Sequence, residues 1–148
     1  MNWTYIKNIG LHSDNSDIKL TLGSGRQNIR TMLNYDPDKN KGRGDNEDSY
    51  KYSFPDNWFR LSFDNDKLSE IEVLGGVVTV AGVAVKIYAD LKQTIKQLTD
   101  KGFSFQEGDY SFTDFLNMVD IGDGEKNGRD TSDIVWFYTA TDFNHFQD

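Results

Sequence analysis

The sequence predicts an α+β fold, with one antiparallel β-sheet and two main helices packed on one face, in a single domain over residues 1–148. Three observations lead there. Most apolar residues alternate with polar ones at the two-residue period of a strand. Only two stretches, 25–34 and 91–101, repeat at helical spacing. The length of 148 residues matches one domain of roughly 100–150 residues, enough to hide about 70% of the unfolded surface.

Ile18, Leu20 and Leu22 point one way, with Lys19 and Thr21 opposite, as on a half-buried strand. Ser24 and Gln27 have the S-x-x-Q spacing of a capping box. Ile29, Met32 and Leu33 then recur at helical spacing, which predicts a helix over 25–34. The stretch 36–49, DPDKNKGRGDNEDS, has no apolar residue and reads as a long polar surface loop. Tyr50, Tyr52 and Phe54 alternate as far as Pro55. Phe59, Leu61 and Phe63 alternate against Arg60 and Ser62, Asn65-Asp66 supplies turn chemistry, and Ile71 and Val73 continue beyond it. A β-hairpin is therefore expected over 58–74. Residues 77–80 and 83–85 are short, β-branched runs flanked by glycine. Asp90 and Gln93 cap a second helix over 91–101, with Leu91, Ile95 and Leu98 on one stripe and Gly102 as its stop. Phe103 and Phe105, then Tyr110 and Phe112, alternate around Gly108, and strands over 115–121 and 134–139 close the series.

The formal net charge of −8 is unevenly placed. Residues 1–106 carry 14 basic and 14 acidic side chains, whereas residues 107–148 carry two basic and ten acidic ones. The whole excess lies in the last 42 residues. Such asymmetry marks a surface for an oppositely charged partner, or a solvated face. It argues against direct nucleic-acid binding, which Lys and Arg drive by releasing counterions, and against docking on an anionic membrane. No apolar run approaches the roughly 18 residues of a membrane helix. Residues 1–11 lack a basic region followed by an apolar run, so no secretory signal is expected and the expected location is cytoplasmic.

The search for chemistry returns little. The absence of Cys excludes a disulfide scaffold, thiolate metal sites and a Cys nucleophile. His12 falls in a polar loop ahead of the first expected strand and His145 sits four residues from the end, poor places for a rigidly held base. Asp36, Asp38, Asn40 and Glu47 occupy positions 1, 3, 5 and 12 of a calcium-loop template, but position 6 is Lys41 rather than Gly and strand-like residues follow. Asp120, Asp123 and Glu125, with Gly122 and Gly124, have oxygen donors for a hard cation, or form a turn between strands. Gly23-Ser24-Gly25 opens a helix without the Walker lysine, and Ser24 is sufficiently explained as a cap. Glu70 and Glu72 share a strand face and read as solvated edge charges. No cofactor is expected.

One resemblance emerges from these residues. Leu20-Thr21-Leu22-Gly23 leading into Arg26-Gln27-Asn28-Ile29-Arg30, the run WFRLSFDNDKLSEIE over 58–72, the α+β layout and the concentrated acidity resemble the small acidic immunity proteins of bacterial toxin–immunity systems, including contact-dependent growth inhibition. The resemblance implies a non-catalytic function: binding a cognate toxin domain, often a basic nuclease, and occluding its active site. Electrostatic attraction would speed encounter and a few aromatic anchors would supply affinity. The residues expected to meet the partner are Glu107, Asp109, Tyr110, Asp120, Asp123, Glu125 and Trp136, with pairing along a sheet edge as a second mode. The alternatives are a structural or regulatory interaction module, and a carboxylate protein for a small ligand or divalent cation.

Overall fold

The computed structural model describes residues 1–53 and 56–144. Phe54, and His145 with the end of the chain, lie outside the described residues. The chain opens with a hairpin, β1 (Asn2–Ile6) and β2 (Gly10–Ser13), followed by β3 (Lys19–Thr21) and α1 (Arg26–Leu33). A meander follows: β4 (Glu47–Ser53), β5 (Asn57–Asp64) and β6 (Lys67–Gly75). A second short hairpin, β7 (Val77–Val80) and β8 (Val83–Lys86), precedes α2 (Leu91–Asp100). The chain then forms β9 (Gln106–Glu107), β10 (Ser111–Asp114), β11 (Val119–Asp123) and β12 (Ile134–Ala140).

These elements make an α+β architecture with two sheets where one was expected. The first runs β3-β2-β1-β7-β8 and the second β4-β5-β6-β12-β11-β10-β9. All pairings are antiparallel except β1 with β7. The chain changes sheet at Gly75-Gly76. Gly76 has φ +93°, and a Cβ there would collide with the carbonyls of Met1 and Asp56, so only glycine passes. The sheets pack through their inner faces: Trp3 meets Phe59 edge-on at 5.4 Å and Tyr5 meets Phe137 at 5.6 Å. One hydrophobic cluster takes residues from both sheets and both helices, including Leu20, Leu33, Ile71, Val85, Leu91, Leu98 and Ile121.

The 58–74 hairpin forms as expected, with Asn65 (φ 50°) and Asp66 (φ 61°) as its turn. Asp90 caps α2 by accepting from the Gln93 amide at 3.2 Å. At its far end Gly102, with φ +100°, places its own amide on Thr99 O and the Phe103 amide on Leu98 O. Several expectations are corrected. His12 is paired within β2, because the short Asn2–Ile6 and Gly10–Ser13 segments form a hairpin ahead of β3. Ser24 does not cap α1; Gly25 is the N-cap and no side chain bonds there. Backbone contacts hold that end instead, with the Arg26 amide on Asp66 O. Phe103 and Phe105 stack on each other outside any strand, and β11 starts only at Val119, after Met118 at φ 57°. Glu70 and Glu72 lie on β6, between β5 and β12, not at an edge.

The 36–49 loop is shorter and better anchored than its composition suggests. Strand β4 begins at Glu47, Asn40 is buried, and Asp48 is fully buried. Asp48 is held by two guanidiniums one turn apart on α1: Arg26 Nη2 at 2.8 Å, and Arg30 Nη2 at 2.7 Å with Nε at 2.9 Å. Burial pushes the Asp48 carboxyl upward, but hydrogen bonds from Arg30 and Arg26 outweigh it and hold the group below the usual carboxylate range. Its contribution to stability is therefore present above the unfolded value of about 3.9 and fades as pH falls through the folded one. An Asp48→Asn variant is expected to lose about 3 kcal/mol at neutral pH in urea unfolding. The gap to the parent should close in thermal melts below about pH 4; a gap unchanged at pH 2 would show that ion pairing is not its source.

Candidate functional site

The outer face of the second sheet, turned away from the core, has a groove at its β9–β12 end. Pairing registers explain it. Ser111, Gly122 and Trp136 lie opposite one another across β10, β11 and β12, and Thr113, Asp120 and Tyr138 form the next row. Gly122 lacks a side chain, and the Trp136 indole covers it so closely that a Cβ would overlap the ring. Trp136 Nε1 donates to Asp120 Oδ2 at 2.9 Å, while Ser111 Oγ and Thr113 Oγ1 each donate to Asp120 Oδ1 at 2.6 Å. Asp120 is 1% exposed, so this carboxylate is buried and bonded on both oxygens.

The groove has a volume of about 860 Å³. Ser111, Thr113 and Trp136 contribute its polar and aromatic floor, and Gln106, Phe115 and Asn127 part of its walls. Along the 106–110 turn it is rimmed by Glu107, Asp109 and Tyr110. Tyr110 is 63% exposed, yet its backbone is fixed: its carbonyl accepts from the Asp123 amide at 3.1 Å and from Asn127 Nδ2 at 2.9 Å. Glu107 pairs with Lys126 at 3.2 Å, an exposed contact of little net energy.

Four of the seven expected residues, Glu107, Asp109, Tyr110 and Trp136, thus meet at one groove. The other three do not join them. Asp120 lies beneath the floor. Asp123, 5% exposed, accepts from the Glu125 amide at 3.0 Å and Ser132 Oγ at 3.1 Å, and so organises the following turn. Glu125 is exposed on that turn. Asp120 and Asp123, expected at the contact surface, are both buried: the first is bonded by side chains on β10 and β12, and the second orders the backbone of the following turn. Asp114 and Asp133 are also buried, the first accepting from Ser104 and Asn117, the second gripped by Arg129 at 2.9 Å. Ser111, Thr113 and Asn127 are not marked by the sequence reading; the Ser111-x-Thr113 alternation is a trace of the first two, and Asn127 has none.

Three of the four calcium-template candidates are already partnered, and Asp38 is exposed. Asp36 and Asn40 cap the 36–40 turn through their side chains, and Glu47 is bonded by Arg43 through both oxygens. Among the described residues no group of three or more His, Asp or Glu side chains is placed to hold a metal ion. Glu72 faces Arg60 at 3.2 Å, and burial pushes its carboxyl up against that partner's pull. Tyr138 donates to Glu70, and burial followed by that bond raises the phenol well above its ordinary value. No helix among the described residues is long and apolar enough to cross a membrane.

Comparison with protein-family models, curated proteins and solved structures finds no match in any of the three.

The geometry makes Gly122 a sensitive position. A Gly122→Ala substitution should displace the indole, break its bond to Asp120 and cost about 1–3 kcal/mol. Loss of the downfield-shifted Trp136 indole proton in an NMR spectrum would report it, and an unmoved resonance would contradict the packing.

Proposed function

We propose that this chain is an immunity-type binding protein, which neutralises a cognate basic toxin domain inside the producing cell by covering its active site, without catalysis. The observation that supports this reading is the convergence of exposed acids, the exposed Tyr110 and the half-buried Trp136 at one groove, within the segment that holds the entire net charge. Acids at the rim accelerate encounter with a basic surface, while a fixed aromatic provides the area that slows dissociation. Asp120, Asp114 and Asp123 are satisfied by neutral donors, so their charge adds to the field of the groove without being spent on an internal cation.

The test is stopped-flow association with the product of the adjoining gene, expected to be a basic toxin domain. Reversing charge at the exposed positions, Glu107→Lys with Asp109→Lys, should slow association by about tenfold or more at low salt, with the difference shrinking as salt rises. An association rate that ignores both salt and these substitutions would remove the groove from the interface.

A further inference from the structure

The two tryptophans on the outer face of the second sheet are treated differently. Trp58 carries two of the chain's own cations, Lys51 Nζ at 4.5 Å and the Arg60 guanidinium at 4.8 Å from its ring centroid. Trp136 has a comparable position on the face and a carboxylate bonded to its indole, but among the described residues no Lys or Arg lies over its ring. Lys126 turns instead to Glu107 and to the Phe112 ring at 5.8 Å.

We infer that the Trp136 groove is a seat for an arginine side chain presented by the partner protein, stacked against the indole and paired with the rim carboxylate of Asp109. The inference rests on the binding reading above and names the chemistry of its contact. Charge complementarity selects a cation: the rim holds Asp109, and the floor covers Asp120, whose bonds come from Ser111, Thr113 and Trp136 and cancel none of its charge, whereas Glu107, opposite Phe112 in the pairing, turns to Lys126. Shape favours arginine over lysine. A planar guanidinium stacks on an aromatic face and offers a fork of N–H donors to carboxylates, whereas an ammonium is a compact, strongly hydrated point charge. The seat is also preformed. Contact with Gly122 and the bond to Asp120 hold the indole, and two bonds to its carbonyl, from the Asp123 amide and Asn127 Nδ2, hold the Tyr110 backbone at the rim.

The test uses the whole ¹⁵N-labelled chain and three small probes: N-acetyl-arginine methylamide, its lysine analogue, and its citrulline analogue, which keeps the shape and loses the charge. The expected result is a saturable shift of the Trp136 indole resonance and of the 108–111 amides with the arginine probe. Citrulline should bind about tenfold more weakly or worse, with lysine in between. Tyr110→Ala and Asp109→Asn, both at exposed positions, should each weaken the arginine probe several-fold while leaving the melting temperature unchanged. Equal shifts from arginine and citrulline, or shifts confined to another surface, would overturn the seat. The two readings fail separately. Arginine binding at Trp136 without toxin binding keeps the seat and discards the toxin. Toxin binding that ignores Tyr110→Ala, with no arginine shift, discards the seat alone.

Discussion

Strand β4 carries a carboxylate, Asp48, on the side that faces the core, and a charge so placed cannot stand alone. Taking a carboxylate out of water costs several kcal/mol unless cations and hydrogen bonds replace the solvent. Helix α1 provides both, through Arg26 and Arg30 at i and i+4. The dependence runs the other way as well. An eight-residue helix is too short to persist by itself, and α1 lacks a side-chain cap. It is held by Ile29 and Leu33 in the core, by the two arginines on Asp48, and by the backbone bridge from Gly25 to Lys67 beside the β5–β6 turn. Helix, turn and edge strand therefore fix one another. Around the same residue the chain also closes an edge: Lys41 bridges to Asp48, and the Ser49 amide reaches Asn40 O. Part of the β4 side of the second sheet is thus covered by its own loop, and the short β9 strand forms the opposite edge.

The two-sheet packing has a consequence for the second sheet's outer face. Its inner face is consumed by aromatic contacts with the first sheet, so the polar members of the alternation collect outside. They bond chiefly to one another: Arg60 to Glu72, Tyr138 to Glu70, Ser111 and Thr113 to Asp120. A face built this way is ordered before any partner arrives, because each side chain's rotamer is set by its neighbour. Order of that kind lowers the entropic cost of association. It also explains the elevated carboxyl of Glu72, since a group enclosed by neighbouring side chains loses water.

The sequence shows strands, turns and helix limits wherever a local rule is strong. Asn65-Asp66 at a hairpin, Asp90 before an apolar stripe and Gly102 after it act within a few residues, and each is found where the pattern places it. Three things were not legible, for separate physical reasons. The division into two sheets depends on a switch at Gly75-Gly76, and an alternation pattern is identical on either side of such a switch. The buried role of Asp48 was hidden because its partners are 18 and 22 residues earlier, on a helix whose arginines look solvated. The fate of the acidic segment was hidden because burial of a carboxylate depends on donors supplied across strands. Asp120 is bonded from Ser111, Thr113 and Trp136, and no spacing rule joins those four positions. Composition located the groove to within its segment, through Glu107, Asp109, Tyr110 and Trp136, but could not separate the acids that face outward from those that support the floor.

That separation matters because exposed and buried acids act on different steps of binding. A hydrogen bond from a hydroxyl, an indole or an amide fills a carboxylate's lone pairs without cancelling its charge. Asp114, Asp120 and Asp123 all have such neutral donors, whereas Glu107 and Asp133 have cations. The buried group therefore keeps contributing to the field felt at a distance, where a low-dielectric surrounding screens it less than water would. At the groove, exposed Asp109 with Tyr110 beside it is placed where it can touch a partner. Steering is then a property of the folded segment as a whole, and affinity a property of a few rim and floor residues. On the proposed reading, contact residues at the rim can change, and the partner with them, while the buried carboxylates stay in place as part of the fold.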